Sequence, residues 1–158
     1  MRIRSCVKAL VLHEGKLLLN DCRNDYFGDH FSLPGGGQDL YETMEEAIVR
    51  ECLEETGYHV EPLRLAAVCG EIQDDPVYRE QHAGYSHKNY HVFLCRLVSE
   101  TPEIPSEPDA GQVSSQWVPV EKLHEARIMP LLVGENIDAI LNAEHPLYLG
   151  TKHEGPAQ

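Results

Sequence analysis

Gly35–Tyr58, GGGQDLYETMEEAIVRECLEETGY, is the stretch from which the rest of the chain can be read. Three glycines follow Leu33-Pro34 and lead through a short polar turn into a segment dense in carboxylates. Thr43, with Glu46 three residues on, forms a capping box and sets the N-cap of a helix. Gly57 has the place of a C′ glycine, where a left-handed residue closes a helix. About 13 residues lie between, roughly 20 Å at 1.5 Å per residue. On the helical wheel Glu51, Glu54 and Glu55 share one arc, while Ile48, Val49, Cys52 and Leu53 form the apolar side. Ala47 falls in the carboxylate arc and is small enough to let something approach. Glu51 and Glu55 are an i,i+4 like-charge pair, destabilising by a few tenths of a kcal/mol. Arg50 is the one base of the helix and can pair forwards with Glu54 or backwards with Glu46, so at least two acids lack a cation. A hard divalent ion would supply one, since Mg²⁺ takes carboxylate oxygens and keeps waters for its remaining sites. A glutamate run alone reads most simply as a solvated helix face. The glycine approach shifts that balance, because Gly35, Gly36 and Gly37 suit a backbone that bends sharply and comes close to a ligand or metal.

The spacing Gly36, five residues, Glu42, seven residues, Arg50-Glu51-Cys52, one residue, Glu54-Glu55, one residue, Gly57-Tyr58 resembles the signature box of the Nudix hydrolases. Cys52 and Tyr58 occupy slots that are usually aliphatic, and Tyr41 stands where a glycine often precedes the first Glu. The box covers 23 of 158 residues; Leu33-Pro34-Gly35 and Trp117-Val118-Pro119 are also similar to the family. The resemblance implies an α/β/α sandwich and a metal-dependent pyrophosphohydrolase. Its substrate would be a nucleoside diphosphate linked to another moiety, of nucleoside triphosphate, nucleotide sugar or ADP-ribose type. It further implies Mg²⁺ or Mn²⁺ held by Glu51, Glu54 and Glu55, with the Gly36 carbonyl as an extra ligand and Glu42 as an outer ligand or a tie for the loop. Arg50 would orient the carboxylates by pairing with Glu54, and Glu51 is the first choice of general base. The alternative is a Nudix-fold nucleotide-binding or regulatory protein without turnover. The intact Glu51, Glu54 and Glu55 argue against it, because a pure binder has no need of that like-charge cluster.

One departure matters. The family often brings a further carboxylate from the loop shortly before the later Trp, yet Gly111–Gln116 (GQVSSQ) holds no acid. Glu107 and Asp109 lie farther back and could substitute by a loop detour. Base duty could instead fall to the polar insertion 74–88, with Asp74, Asp75, Glu80, His82 and His87. A neutral imidazole such as that of His82 can serve as base or contact phosphate near pH 7. Arg23 and Arg79 are candidate phosphate contacts, and Phe31, Tyr26, Tyr78 and Tyr85 could stack on a base. Each has a plainer reading, as a solvated loop residue or an aromatic that merely packs.

Composition bounds the partners. With 26 acidic against 13 basic residues the formal charge is −13, and no basic stripe exists, which excludes long contacts with duplex nucleic acid. An acidic enzyme still takes a phosphorylated substrate if divalent metals reverse the local field. The five cysteines show no zinc or C-x-x-C spacing and suit buried thiols in a reducing compartment. No apolar stretch with a cleavage site opens the chain and no run of roughly 18 apolar residues occurs. The expectation is a soluble, cytoplasmic protein without a membrane partner.

Around the central helix, residues 3–12 and 16–22 read as a hairpin, Phe31–Pro34 as a short strand that puts the glycines at a sheet edge, and 59–72 as one long strand bent near Pro62 or Gly70. Residues 89–98 and 113–118 are further strands, with Trp117 packed on the main layer, and 99–111 is a proline-rich loop. Residues 120–126 suit a short helix. Pro130 fits the first turn of a final helix through Asn142, whose Leu131, Leu132, Ile137, Ile140 and Leu141 either complete the core or face a second subunit in a homodimer. Leu147–Leu149 is a short strand candidate. The fold class is α/β (α+β), a mixed sheet between helices. One domain spans 1–150, and 151–158 is a loose tail.

Overall fold

Alternation along the first strand, β1 (Arg4–His13), decides the layering: Val7, Ala9 and Val11 are buried on one face, Cys6 and Leu10 on the other. A strand that is apolar on both faces needs cover on both. The computed structural model describes residues 2–155. After β1 come β2 (Lys16–Cys22), β3 (His30–Ser32), α1 (Met44–Thr56), β4 (Val60–Gln73), α2 (Pro76–Gln81), β5 (His87–Leu97) and β6 (Gln112–Pro119). The chain finishes with β7 (Ile128–Met129), α3 (Leu131–Glu135), α4 (Ile137–Asn142) and β8 (Leu147–Glu154), and 3₁₀ turns stand at Ala83–Tyr85 and Val120–Glu125. The eight strands form one mixed sheet in the order β7-β3-β2-β1-β5-β4-β8, with β6 also paired to β2. On one face α1 packs Ala47, Ile48 and Cys52 against Val7, Ala9, Val11 and Phe93. On the other, Val133, Ile137 and Ile140 of α3 and α4 lie on Leu10, Leu17 and Leu19. This is the mixed sheet between helices, an α/β/α sandwich.

The feature that positions the site is a parting of the sheet. β1 and β2 pair only at Leu12↔Leu17 and His13↔Lys16. Beyond that β2 exchanges β1 for β3, pairing Asn20, Asp21 and Cys22 with Ser32, Phe31 and His30. Residues 34–38 run along the edge of β1 that this leaves: Ala9 N donates to Pro34 O (2.8 Å), Val7 N to Gly36 O (2.9 Å) and Gln38 N to Ser5 O (3.0 Å). Gly35 sits at φ 139° against β1, and a Cβ there would lie 2.1 Å from the Val7 carbonyl oxygen. Only glycine fits.

α1 begins at Thr43 with both capping-box bonds made, Glu46 N to Thr43 Oγ1 (3.1 Å) and Thr43 N to Glu46 Oε2 (2.8 Å), and ends at left-handed Gly57. Its buried stripe differs from the expected one: Ala47, Ile48, Cys52, Glu55 and Thr56 are buried, while Val49 and Leu53 are only partly covered. Ala47 is therefore not an open approach. What approaches it is the sheet, which needs a small residue where helix and strands are closest.

Three corrections fall in the C-terminal third. The final helix is split, because Asn136 leaves helical geometry at φ −117° and its Nδ2 donates to Leu132 O (2.7 Å). Pro130 precedes the first helical residue as N-cap rather than standing inside the first turn. The loose tail is, as far as Glu154, a strand: Thr151, Lys152, His153 and Glu154 pair in parallel with Gly70–Gln73 of β4, whose backbone would otherwise be an open edge. Residues 156–158 lie outside the described region. All five cysteines are buried and unpaired, and among the described residues no helix is long and apolar enough to cross a membrane. A chain ended after Gly150 is expected to lose roughly 2 kcal/mol of stability, read as a lower urea midpoint; an unchanged midpoint would restore the idea of a dispensable tail.

Candidate active site

Glu55 is the most constrained carboxylate of the helix. It is 3% exposed, and its Oε2 accepts from Asn20 Nδ2 (2.9 Å) and from the Gly35 backbone N–H (3.0 Å). Burial pushes its carboxyl up to about 7, against the pull of the Lys8 ammonium. Asn20, itself buried, is oriented in turn by Ser115 Oγ (2.9 Å) and Gln112 Nε2 (3.3 Å), and Gln112 Nε2 also reaches Glu55 O (2.9 Å). The acid-free run before Trp117 thus supplies amide and hydroxyl groups that hold the network around Glu55. Glu51 is raised by burial and opposed by Arg50, whose Nη1 lies 3.0 Å from Glu51 Oε1. The glycine turn passes close to this carboxylate: a Cβ at Gly36 would lie 2.5 Å from Glu51 Oε1.

Arg50 does pair with Glu54 (3.2 Å), but its main partner is Glu42, reached by Nε at 2.7 Å and Nη2 at 3.0 Å. Glu46, the backward partner considered from spacing, is engaged in the capping box instead. A further Arg50 bond, from Nη2 to Gly37 O (3.0 Å), ties the turn to the helix. Glu42 also accepts from Asp39 N (2.9 Å), and the Arg50 guanidinium holds its carboxyl below the usual range. Both Glu42 oxygens therefore accept from protein donors, and these bonds join the loop to the helix. Helical spacing missed this pair because Glu42 lies before the helix starts.

A cavity of about 360 Å³ opens in front of the turn, lined by Glu51, Glu55, Gly35, Gly36 and Gly37 among others. Lys8 lines it too. Lys8 is 7% exposed and its Nζ donates to Gly35 O (2.9 Å) and Leu33 O (3.0 Å), so it braces the turn from the β1 side. A single lysine inside the apolar run of β1 was the signal for it. Asp109 reaches the wall by the loop detour considered above: the loop is fixed by Glu103 N to Gly57 O (2.8 Å) and Glu107 N to Glu54 O (2.9 Å), and Arg23 N holds Gly111 O (2.8 Å) beyond it.

Of the seven substrate-contact candidates, Tyr78 and Tyr85 line the cavity, and Arg23, Tyr26, Phe31, Arg79 and His82 do not. Phe31 packs into the core beneath α3 and α4. Arg23 is drawn to Asp21 (2.8 Å), and Arg79 to Asp74 (3.1 Å) and the Gln73 carbonyl. His82 is exposed and lies against Tyr78, ring centres 4.5 Å apart and planes tilted by 41°. The insertion is docked by Tyr26 Oη donating to Asp75 Oδ2 (2.9 Å), and Tyr78 with Phe27, a residue that sequence reading passed over, faces the cavity. Glu54 does not line it and is held by Arg50.

The donor set suits a hard divalent cation. Glu51 and Glu55 present carboxylate oxygens to one cavity, and the Gly36 carbonyl, which accepts one bond from Val7 N, keeps a lone pair. The three helix glutamates do not converge into a closed triad, because Arg50 lies between Glu51 and Glu54 and Glu55 turns inward. The one cluster of three ligand atoms within 4.8 Å among the described residues is His13, Glu14 and Glu100, at the β1–β2 turn and outside this cavity. It could coordinate a divalent metal; His13 Nε2 lies 3.0 Å from Glu100 Oε1.

With this geometry in place, comparison with known families is decisive: the NUDIX domain profile matches residues 2–133. The chain belongs to the Nudix family. Among Nudix relatives, it is 26% identical over 132 residues to an RNA pyrophosphohydrolase of Zymomonas mobilis, covering 78% of this chain and 83% of that one. It is 39% identical over 70 residues to an ADP-ribose pyrophosphatase of Methanocaldococcus jannaschii, covering 44% and 41%. The chain spans only 27% of the length of a Caenorhabditis elegans nudix hydrolase and 28% of a human 8-oxo-dGDP phosphatase that it also matches. The crystal structure of a Streptococcus suis ADP-ribose pyrophosphatase superposes with TM-score 0.64 at 22% identity, covering 96% of this chain and all of that one, a likeness of fold.

In this Nudix domain the shift at Glu55 has a measurable consequence. A carboxyl whose folded pKa lies above its unfolded value favours the fold fully below the unfolded value, 4.5, and loses that contribution as pH rises through about 7. Glu55→Gln is therefore expected to gain on wild type between those pH values, by about 3 kcal/mol at most, in urea titrations with EDTA. A difference independent of pH would contradict the assigned burial effect.

Proposed function

We propose that the chain hydrolyses a phosphoanhydride bond in a nucleoside diphosphate linked to a further group, with Mg²⁺ or Mn²⁺ held by Glu51, Glu54 and Glu55 and the Gly36 carbonyl. The observation that carries this reading is the pair Glu51 and Glu55 on one cavity wall, both raised by burial, with Gly36 bare of a side chain between turn and helix. Buried carboxylates of this kind are compensated by a metal more readily than by water. When bound, such an ion polarises phosphoryl oxygens and offsets charge on the leaving phosphate.

The chain's own groups do the rest. Glu51 has one oxygen fixed by Arg50, and its other oxygen takes the proton of the attacking water; its raised pKa moves it towards the range in which general bases work. Arg50 positions Glu51 and Glu54 without touching substrate. Lys8 and Glu55 hold the two sides of the glycine turn. Phe27, Tyr78 and Tyr85 offer flat apolar surfaces to a base or an equivalent ring. A volume of about 360 Å³ suits a small ligand. Relatives named for ADP-ribose and 8-oxo-dGDP support a nucleotide, and the formal charge of −13 argues against duplex nucleic acid.

The test is a panel of nucleoside triphosphates, nucleotide sugars, dinucleoside polyphosphates and ADP-ribose with Mg²⁺ or Mn²⁺, with products resolved by phosphorus NMR. Metal-dependent cleavage of at least one member is expected, and none would count against turnover. On the best substrate, Glu51→Gln and Glu54→Gln should each lower the rate at least about a hundredfold with the circular dichroism spectrum unchanged. Undiminished hydrolysis by either variant would remove that residue from the chemistry.

A further inference from the structure

Three cations line the cavity, Arg4, Lys8 and Lys88, and two of them are already engaged. Lys8 Nζ is bonded to the Leu33 and Gly35 carbonyls, and Lys88 Nζ pairs with Glu71 Oε1 at 3.0 Å. Among the described residues Arg4 has neither a carboxylate nor a carbonyl partner for its guanidinium. It lies over the Tyr85 ring, Cζ 4.3 Å from the ring centre. That contact uses the flat face of the guanidinium, and its polar neighbours Tyr85 and Cys6 are uncharged side chains, so no anion answers its charge. Arg4 and Lys88 are also direct neighbours in the parallel β1–β5 register, so both side chains leave the same face of the sheet. Like charges placed side by side on a sheet are unfavourable unless something offsets them. Glu71 does so for Lys88, and nothing acidic does so for Arg4, in a chain with twice as many acidic as basic residues.

The position of Arg4 says what the missing counter-charge is. A Cβ at Gly36 would meet Glu51 Oε1 at 2.5 Å, and a Cβ at Gly37 would meet Arg4 Nη2 at 2.5 Å. The two Cα atoms are consecutive, about 3.8 Å apart. Successive residues of an extended segment face opposite ways, and Gly37 shares the Cys6 face of β1, so the carboxylate and the guanidinium reach one bare backbone turn from its two faces, inside one cavity.

We propose that Arg4 is a specificity-determining residue: it holds the phosphate next to the one bound at Glu51, with the diphosphate lying across Gly36 and Gly37 and Tyr85 backing the guanidinium. The site then selects compounds with two adjacent phosphates over monophosphates. This rests on the phosphoanhydride reading above. Glycine is needed at both positions because a methyl group would displace the Glu51 carboxylate at Gly36 and the Arg4 guanidinium at Gly37.

The test uses the intact chain and methylenediphosphonate, a diphosphate analogue that water does not cleave, titrated calorimetrically in the presence of Mn²⁺ after Mn²⁺ alone. Arg4→Gln should weaken the diphosphonate by about tenfold or more, while Arg4→Lys, a point charge without the fork, falls in between. Mn²⁺ affinity should stay within about twofold of wild type in both. Arg79→Gln, a cation outside the cavity lining, should behave as wild type. Equal diphosphonate affinity in wild type and Arg4→Gln, or a parallel loss of Mn²⁺ affinity, overturns the assignment. So does wild type that binds Mn²⁺ but no diphosphonate. Wild type that binds no Mn²⁺ sinks the metal-dependent reading itself, a separate failure.

Discussion

The pairing of residues 34–38 with β1 is the constraint on which the rest depends. Hairpin strands normally stay paired, and here β1 and β2 separate after two register pairs. The edge of β1 released in this way would be left with unpaired backbone groups in the interior, an expensive state. Three backbone bonds satisfy it, Val7 and Ala9 donating to the turn and Ser5 accepting from Gln38. The same bonds fix Gly35, Gly36 and Gly37 against the sheet, and they aim the Gly35 N–H at Glu55. Carboxylates from the helix layer reach a cavity whose other walls are strand residues of the opposite face, Cys6, Lys8 and Tyr90, through the place where the sheet parts.

Charge burial at this seam is tolerated because the groups are satisfied pairwise. Lys8 has two carbonyl acceptors, Glu55 has two donors, and Asn20 between them is held by Ser115 and Gln112. A network with every member bonded rigidifies a core, whereas one lost partner leaves a desolvated charge. The cavity therefore has a stiff back, built of strands and turn, and a front made by the 74–88 insertion. The insertion is attached through aromatic contacts and the Tyr26–Asp75 bond.

Much of this was legible from residues 35–58. Cap, helix length, closing glycine and the approach of the turn all follow from local rules, and they match. The exact buried face did not follow, because Ala47 and Glu55 are drawn inward by the sheet rather than by hydropathy. Arg50 was read within its helix, where i,i+4 geometry applies, and its strongest partner, Glu42, precedes the helix. Arg23, Arg79 and Phe31 were chosen by residue type near loops; tertiary packing gave them local partners. Lys8 stands out as the one cation in the apolar run of β1, whereas Arg4, at the polar start of that strand, carries no such signal. β8 was missed because nothing in a C-terminal sequence announces an unpaired strand elsewhere that needs a neighbour.

The loop of residues 99–111 has a mechanical character of its own. Glu103 and Glu107 each donate a backbone N–H to the end of α1, and Gly111 is bonded to Arg23 on the next connection. These attachments recur every four residues, so the chain behaves as a strap fastened at successive points. Asp109 lies between the last two. Extra length inserted before Glu103 would loop out without reaching the cavity, while the same insertion after Glu107 would shift Asp109 along the wall. The strap thus separates a segment free to vary in length from one whose length is set by the site.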